Sequence, residues 1–309
     1  MHKTDSKKAG LIWKRNWQLY LLLAVPVVYV FIFSYIPIGG IVIAFKDFSA
    51  RKGIFGSDWV GLNNFIRFFR ARDFTKLLTN TLALSIYSLI ATFPIPILFA
   101  LVVNSIRGRR FSKTVQTITA LPHFISVVVM VGIVFQVLDS RSGAYGQIMH
   151  HLTGDYPDTL FASPSMFRHI YVWSGAWQGF GWGSIIYIAA LTGVSPEYHE
   201  AAQIDGATRF QRVLYVDLPT ILPTIVTMLI LNMGGILSVG FEKVLLLQND
   251  LNISASQVIS TYSYSIGLAS ARPDMSYGTA IGLFNSVVNF IMIIFANAVS
   301  RKVNETSLW

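Results

Sequence analysis

Residues 195–219 read SPEYHEAAQIDGATRFQRVLYVDLP, and this charged segment lies between two long stretches that contain no Asp, Glu, Lys or Arg. The stretch before it is His169–Pro196, and the stretch after it is Leu218–Phe241. A helix needs about 20 mostly apolar residues to cross a bilayer. Each flanking stretch is therefore long enough to cross. The pattern predicts a polar connection between two membrane spans.

Four more uncharged stretches of this length occur elsewhere in the chain. They are Leu19–Phe45, Leu77–Ile106, Thr114–Leu138 and Met275–Ser300. Buried helices of a soluble protein would be shorter or would show a polar face. The composition agrees, since only 13% of the residues are charged, against about 25% in soluble domains. The sequence predicts an all-α membrane protein with six transmembrane helices.

We predict three parts along the chain: a cytoplasmic N-terminal segment 1–16, a transmembrane domain 17–303 and a cytoplasmic tail 304–309. The first span follows several Lys and Arg residues, as the apolar region of a signal peptide does. Its apolar part is longer than the roughly 15 residues of a signal peptide, so we interpret it as a retained span. Lys and Arg accumulate in cytoplasmic loops. Their totals on the two predicted sides differ little, but the dense group 107–113 favours cytoplasmic termini.

The chain lacks the sequence patterns of several enzyme and carrier classes. It has no Cys, no phosphate-binding G-x-x-x-x-G-K-[ST] pattern and no H-E-x-x-H pattern. Ion-coupled carriers usually place carboxylates within the membrane, and none of the six spans contains one. The pair His150–His151 has no carboxylate at ligand spacing, and we interpret His123 as a packing residue. We therefore expect no catalytic residue, no metal site and no cofactor in this chain, and another subunit must supply energy for active transport.

Segment 195–219 predicts a short helix that ends in a tight turn. Ser195 suits the helix cap, Pro196 the first helical position and Glu197 the positive end of the helix dipole. Asp205-Gly206 is a turn signal, because Gly tolerates a positive φ at a helix end.

A second short helix is expected after the turn, with an apolar stripe formed by Phe210, Val213 and Leu214. We expect Leu218-Pro219 to end that helix where the chain re-enters the membrane. A solvated connector is the alternative interpretation, but a connector could be far shorter. The favoured interpretation is a cytoplasmic helix–turn–helix that docks on a partner.

The segment resembles the EAA loop of ABC-importer permeases, in which E-A-A is followed by D-G-A and then by L-P. The matching residues are Glu200-Ala201-Ala202, Asp205-Gly206-Ala207 and Leu218-Pro219. The chain is similar to the carbohydrate-uptake branch at Trp59–Phe65, Asn80-Thr81 and Leu121-Pro122. It looks most like permeases for complex oligosaccharides and polysaccharide fragments.

The resemblance implies the type I ABC-importer permease architecture in a bacterial plasma (inner) membrane, surrounded by lipid. It implies a second homologous permease, two ATP-binding subunits that hold ATP and Mg, and an extracytoplasmic solute-binding protein. No nucleic acid partner is expected. By the same resemblance Glu200 contacts the ATPase and Gly206 permits the turn. Supporting positions of the coupling loop are Ala201, Ala202, Asp205 and Ala207.

Candidate sugar contacts are aromatic and uncharged polar residues of the last three spans. We name Trp173, Trp177, Gln178, Trp182, Asn232, Ser238, Asn285 and Asn289. Sugars bind to aromatic faces and to neutral hydrogen-bonding groups, but buried amides also join helices to one another. The predicted function is oligosaccharide import by alternating access. The alternatives are an importer for another solute, an ion-coupled carrier and a membrane-embedded hydrolase or transferase.

Overall fold

The computed structural model describes residues 3–106 and 108–304, and most of them lie in helices. Side chains are described for residues 15–106 and 108–301. Residues 305–309 of the predicted cytoplasmic tail, and residues 1 and 2 of the predicted N-terminal segment, lie outside the described residues.

The α-helices follow one another with short connections. They are α1 Lys3–Val30, α2 Ile36–Ile38, α3 Gly53–Gly56, α4 Asn63–Phe69, α5 Phe74–Thr92, α6 Pro94–Asn104, α7 Arg109–Ala120, α8 Val127–Leu138, α9 Ala144–Thr153, α10 Pro164–Gly183, α11 Ile185–Leu191, α12 Pro196–Ile204, α13 Arg209–Arg212, α14 Leu218–Met233, α15 Phe241–Leu247, α16 Ile253–Ser256, α17 Ile259–Tyr264 and α18 Met275–Asn304.

Shorter segments complete the secondary structure. Wider π-helical turns occur at Phe31–Tyr35, Val213–Asp217 and Ser265–Ala269, and tighter 3₁₀ turns at Gly39–Phe45, Leu121–Phe124 and Leu160–Ala162. Two short antiparallel strands, β1 Lys46–Asp47 and β2 Asp58–Trp59, pair Lys46 with Trp59 and Asp47 with Asp58.

The described residues form two compact units. The first unit holds the chain up to Phe68 together with Ile266–Leu283. Inside it, Arg67 forms an ion pair of 2.6 Å with Asp274 and lies 4.2 Å from the centre of the Tyr277 ring. These contacts join α4 to the start of α18.

The second unit holds Phe69–Ser265 and the chain from Phe284 onward. One of its apolar clusters packs α5, α8, α10 and α15 around buried residues such as Leu84, Met130 and Val244. Another packs α6, α11 and the start of α14 around Ala100, Tyr187 and other buried residues. This unit contains the predicted coupling loop and all of the candidate sugar contacts.

In the described part of the chain, four helices are long and apolar enough to cross a membrane: Arg15–Phe45, Phe74–Asn104, Arg209–Met233 and Met275–Arg301. They correspond to predicted spans one, two, five and six, and they confirm the all-α membrane class. The helix of the first span begins at Lys3, so the predicted N-terminal segment is helical from that residue. The backbone leaves helical geometry at Asn16, where φ is −114° and ψ is 16°.

The predicted third span, Thr114–Leu138, is wrong as a single helix. Arg109–Phe124 and Val127–Leu138 meet at an angle of 101°. Pro122 has no N–H to donate, and the Ser126 hydroxyl accepts from the Val129 N–H at 3.3 Å and caps a new helix. The bent pair makes a fifth span if both arms count as one.

The predicted fourth span, His169–Pro196, corresponds to α10 and α11, which are separated at Ser184. The pair is not among the helices that are apolar enough to cross by composition. Its Trp, Gly and Gln content lowers the hydropathy of α10. By length and composition, the described residues therefore give four spans, or five with the bent pair, where the sequence predicted six.

Candidate coupling loop and solute pathway

The first helix of the loop, α12, begins as predicted. The Ser195 side chain accepts a hydrogen bond from the Glu197 N–H at 3.4 Å, and Pro196 is the first helical residue. Glu197 lies in the first turn, where a carboxylate stabilises the helix dipole. None of the residues of α12 is buried. Short local signals are therefore enough to start this helix, and it presents its surface to solvent or to a partner.

The helix α12 ends in a turn that connects the E-A-A group of the motif to its D-G-A group. Gly206 has a φ of +78°, and its N–H donates to the Gln203 carbonyl at 3.1 Å. The Ala207 N–H donates to the Ala202 carbonyl at 2.8 Å. This bond pair is the Schellman motif, which satisfies the free carbonyls of a helix end. The predicted turn at Asp205-Gly206 is confirmed.

The second helix of the loop has a start that the sequence analysis missed. The Thr208 side chain accepts from the Gln211 N–H at 3.3 Å, and the Gln211 side chain accepts from the Thr208 N–H at 2.8 Å. This reciprocal pair is a capping box. Its signal, Thr followed three residues later by Gln, was present in the sequence.

Our expectation that Leu218-Pro219 ends the second helix is wrong. α13 continues through the π turn Val213–Asp217 into α14, and Arg209–Met233 is one long helix. In the π turn the Leu218 N–H donates to the Val213 carbonyl, five residues back. The wider turn makes room for the Pro219 ring, which would clash with a carbonyl of a regular α-helix. The coupling loop is thus continuous with the fifth predicted span.

The loop exposes several large apolar side chains, three of them in α12 and α13. The exposed fractions are 65% for Tyr198, 87% for Ile204 and 74% for Phe210. Glu200 is also exposed. The predicted stripe Phe210, Val213, Leu214 is divided, because Val213 packs on the apolar cluster of α6 and α11. A solvent-exposed set of this kind is typical of a docking surface.

A polar cleft of about 570 Å³ separates the loop from the ends of α6 and α11. His199, Glu200 and Arg212 are among the residues that line it. Across this cleft the His199 Nε2 lies 3.3 Å from Asp217 Oδ1. The Asp217 side chain is 4% exposed.

Trp173 and Trp177 face an apolar pocket of about 290 Å³ on the α8 side of α10. The Trp173 Nε1–H donates to the Tyr87 hydroxyl at 3.0 Å. That hydroxyl also lies 2.8 Å from His169 Nδ1. An apolar pocket does not offer the hydrogen bonds that a sugar requires, so these two residues fit helix packing better.

Gln178 and Trp182 contact the bend between α7 and α8. The Gln178 amide donates to the Ile125 carbonyl at 2.9 Å. The Trp182 ring stacks on His123, with the ring centres 4.8 Å apart. Since the bend frees backbone carbonyls, these contacts stabilise it.

Asn232 and Ser238 line a small polar cavity of about 170 Å³. Hydroxyl groups that the sequence analysis missed also line it: Ser85, Ser88, Thr92 and Tyr171. The first three follow at i, i+3 and i+7 on α5, a spacing that places side chains on one helix face. That spacing was the available signal.

The two amides of the last span hold different positions. The Asn289 amide donates to Ser238 Oγ at 2.7 Å, and its carbonyl oxygen accepts from the Leu237 N–H at 2.9 Å. The Asn285 Oδ1 is buried without a hydrogen-bond partner. The eight candidate residues therefore lie in separate places, and Asn232, Ser238 and Asn289 are the ones at or beside the polar cavity. No group of three or more His, Asp or Glu within residues 15–106 and 108–301 is placed to hold a metal ion.

Long apolar helices joined by an exposed, capped helix–turn–helix define the chain as a multi-helix membrane protein. Residues 92–305 match the family of binding-protein-dependent transport system inner membrane components. The chain belongs to that family.

Similar proteins cover nearly the whole chain. Protein LplB of Bacillus subtilis (strain 168) is 40% identical over 97% of this chain and 95% of its own length. The polygalacturonan/rhamnogalacturonan transport system permease protein YteP of the same organism is 40% identical over 94% of this chain and 90% of its own length.

A crystal structure of a bacterial ABC transporter that imports the acidic polysaccharide alginate has a similar chain. Its TM-score is 0.85 at 38% identity, and the match covers 96% of this chain and 99% of that one. A second structure of a bacterial alginate ABC transporter, in complex with an alginate pentasaccharide-bound periplasmic protein, matches with the same TM-score and identity. That match covers 96% of this chain and 98% of the other.

Proposed function

We propose that the chain is the membrane-spanning subunit of an ATP-driven importer for an oligosaccharide or polysaccharide fragment. The observation that carries this proposal is the loop 195–219, an exposed helix–turn–helix continuous with a long apolar helix. The relatives named for polysaccharide transport support the choice of solute.

The proposed assembly contains a second homologous permease, two ATP-binding subunits and an extracytoplasmic solute-binding protein. ATP and Mg bind to the ATPase subunits, and this chain contributes no catalytic residue. The chain crosses the bacterial inner membrane several times, with both termini and segment 195–219 on the cytoplasmic side. In this assembly Glu200, Ala201, Ala202, Asp205, Gly206 and Ala207 form the contact with an ATPase subunit.

Closure of the ATPase pair then moves α12 as a rigid body. Since α13, the π turn and α14 form one helix, displacement of the loop tilts a membrane-crossing element. Rigid-body movement of this kind switches a transporter between inward-open and outward-open states.

The polar cavity around Asn232 is the proposed sugar contact of this chain. Its lining supplies neutral hydroxyl and amide groups on three helices. Neutral donors and acceptors match sugar hydroxyls and leave no buried charge unpaired when the sugar departs.

Purification and reconstitution test the assembly. The chain, expressed with candidate partners, should co-purify with ATPase subunits and a second permease. Vesicles that contain the complex, with ATP on the side of the ATPase subunits, should accumulate sugar. Uptake by the isolated chain, without any ATPase, would refute the proposal.

The same vesicles test the cavity. Asn232→Leu replaces the amide by an apolar side chain of similar volume. It should lower uptake about tenfold, a loss comparable to one hydrogen bond to substrate. ATPase subunits should stay bound. Uptake equal to that of the unchanged chain would place the sugar contact elsewhere.

A further inference from the structure

The coupling helix α12 is attached to the rest of its unit by few contacts. None of its residues is buried, and the polar cleft of about 570 Å³ lies between it and the ends of α6 and α11. The side-chain hydrogen bond of Gln203 stays within α12, since its amide donates to the His199 carbonyl. A helix held in this way transmits force only through its chain ends and through any side chain that crosses the cleft.

One side chain of α12 crosses the cleft. His199 Nε2 lies 3.3 Å from Asp217 Oδ1, and the two side chains are 28% and 4% exposed. Asp217 is the last residue of the π turn that leads into α14. The contact therefore joins the coupling helix directly to the base of the long helix 209–233, bypassing the turn at Gly206.

The burial of Asp217 makes its charge partners important. Its Oδ1 is buried and accepts no hydrogen bond from the described residues. A buried carboxylate without a nearby cation is costly, and loss of one partner of a buried pair is strongly destabilising. Arg212 lines the same cleft, but its Nε is buried without a hydrogen-bond partner. His199 Nε2 is the nitrogen in contact with Asp217 Oδ1, and Arg212 also attracts the Asp217 carboxylate.

The π turn is where movement of the pair would take effect. A π turn is a less regular part of a helix and often lies at a functional site. Displacement of His199 by a docked partner would pull on Asp217 and so change the angle at which α14 continues from α13.

We infer that the His199–Asp217 ion pair is the joint through which movement of α12 reaches the membrane-crossing helix 209–233. His199 and Asp217 are thus positioning residues that transmit the movement. The inference rests on the proposed function, since it takes α12 as the docking site of the ATPase. It adds a residue pair that lies outside the E-A-A and D-G-A groups.

The test compares ATP hydrolysis with sugar uptake in the assembled complex. His199→Gln replaces the imidazole, and Asp217→Asn removes the carboxylate charge. Both variants should keep their ATPase subunits and hydrolyse ATP, while uptake per ATP falls about tenfold or more, because the joint no longer moves with the loop. His199→Lys keeps a cation opposite Asp217 and should restore most of the uptake.

A matched control removes an exposed ion pair instead. Asp58→Asn breaks the contact with Lys52, which is 2.6 Å long between side chains that are 52% and 72% exposed. Surface pairs contribute little, so uptake per ATP should not change in this variant.

Three results separate the possibilities. Normal uptake per ATP in both His199→Gln and Asp217→Asn overturns the joint but leaves the proposed function standing. Loss of ATPase attachment in parallel with uptake, without rescue by His199→Lys, also overturns it, because the pair would then be structural. Failure of the unchanged chain to bind any ATPase overturns the proposed function itself.

If Asp217→Asn does not fold, the comparison of His199→Gln with His199→Lys tests the joint instead, since His199 is partly exposed.

Discussion

At the scale of single residues, Gly206 determines the shape of the coupling loop. Its φ of +78° is a conformation that residues with a Cβ rarely adopt. A Cβ at this position would meet no atom within 4 Å. The constraint is therefore the backbone conformation, and crowding plays no part.

The effect of a substitution at Gly206 should therefore depend on how well the new residue tolerates a positive φ. Gly206→Ala should weaken the turn by about 1 kcal/mol and lower ATPase attachment, measured as the ATPase retained per permease on purification. Gly206→Asn should lose less, because Asn tolerates the left-handed region better than Ala. Equal attachment in the unchanged chain and in Gly206→Ala would contradict this account of the turn.

The histidines show how residue roles depend on context. His123 stacks on Trp182 at the bend, which agrees with the packing role that the sequence suggested. The sequence did not indicate a role for His199, because its carboxylate partner lies 18 positions further along the chain and on another helix. Pairing over such a distance requires the folded backbone.

At the scale of helices, the crossing of α10 over α7 depends on Gly181. A Cβ at Gly181 would overlap the backbone carbonyl of Thr119. Backbone atoms cannot move aside as a flexible side chain can, so the two helices would have to separate. Small residues permit this close approach in membrane helices.

A pair of glycine substitutions on α10 tests that crossing. Gly181→Ala should lower the stability of the purified chain by about 1–3 kcal/mol, seen as a lower thermal midpoint in detergent. Gly179→Ala is the matched control, because a Cβ there meets nothing within 4 Å. If both variants melt at the same temperature as the unchanged chain, the crossing does not depend on Gly181.

Helix breaks were harder to predict than helix starts. Ser195 and Pro196 specify the start of α12 by local hydrogen bonding, so the sequence predicted it correctly. Pro122 and Pro219 look alike in sequence, yet the chain bends by 101° just after the first and runs on through the second. The outcome depends on whether a π turn or a new helix cap accommodates the missing N–H, and on what packs beside it.

At the scale of the whole molecule, the orientation of the loops remains a prediction that labelling can test. The chain has no Cys, so single cysteines report their side directly. Asp155→Cys, in the exposed loop after α9, should react with a membrane-impermeant maleimide in spheroplasts. Tyr198→Cys, whose native side chain is 65% exposed, should react only in inverted vesicles.

The same labelling offers a clear contrary result. Reaction of Tyr198→Cys in intact spheroplasts would place the coupling loop outside the cell and rule out contact with ATP-binding subunits. Expression of this chain alone avoids protection of the loop by a docked ATPase.

The sequence by itself determined the class of the protein and the position of its exposed helix–turn–helix. Runs of uncharged residues specify membrane helices because charge is costly in lipid, and the cap and turn residues of segment 195–219 act on their own neighbours. These effects are local, so the order of residues along the chain was sufficient to predict them.

The tertiary structure decided the rest. It bent the third predicted span, joined α13 to α14, and distributed the candidate sugar contacts among an apolar pocket, a helix bend and a polar cavity. It also brought His199 to Asp217 across the cleft. These features depend on which helices pack together, and packing joins residues far apart in the chain that no local pattern relates.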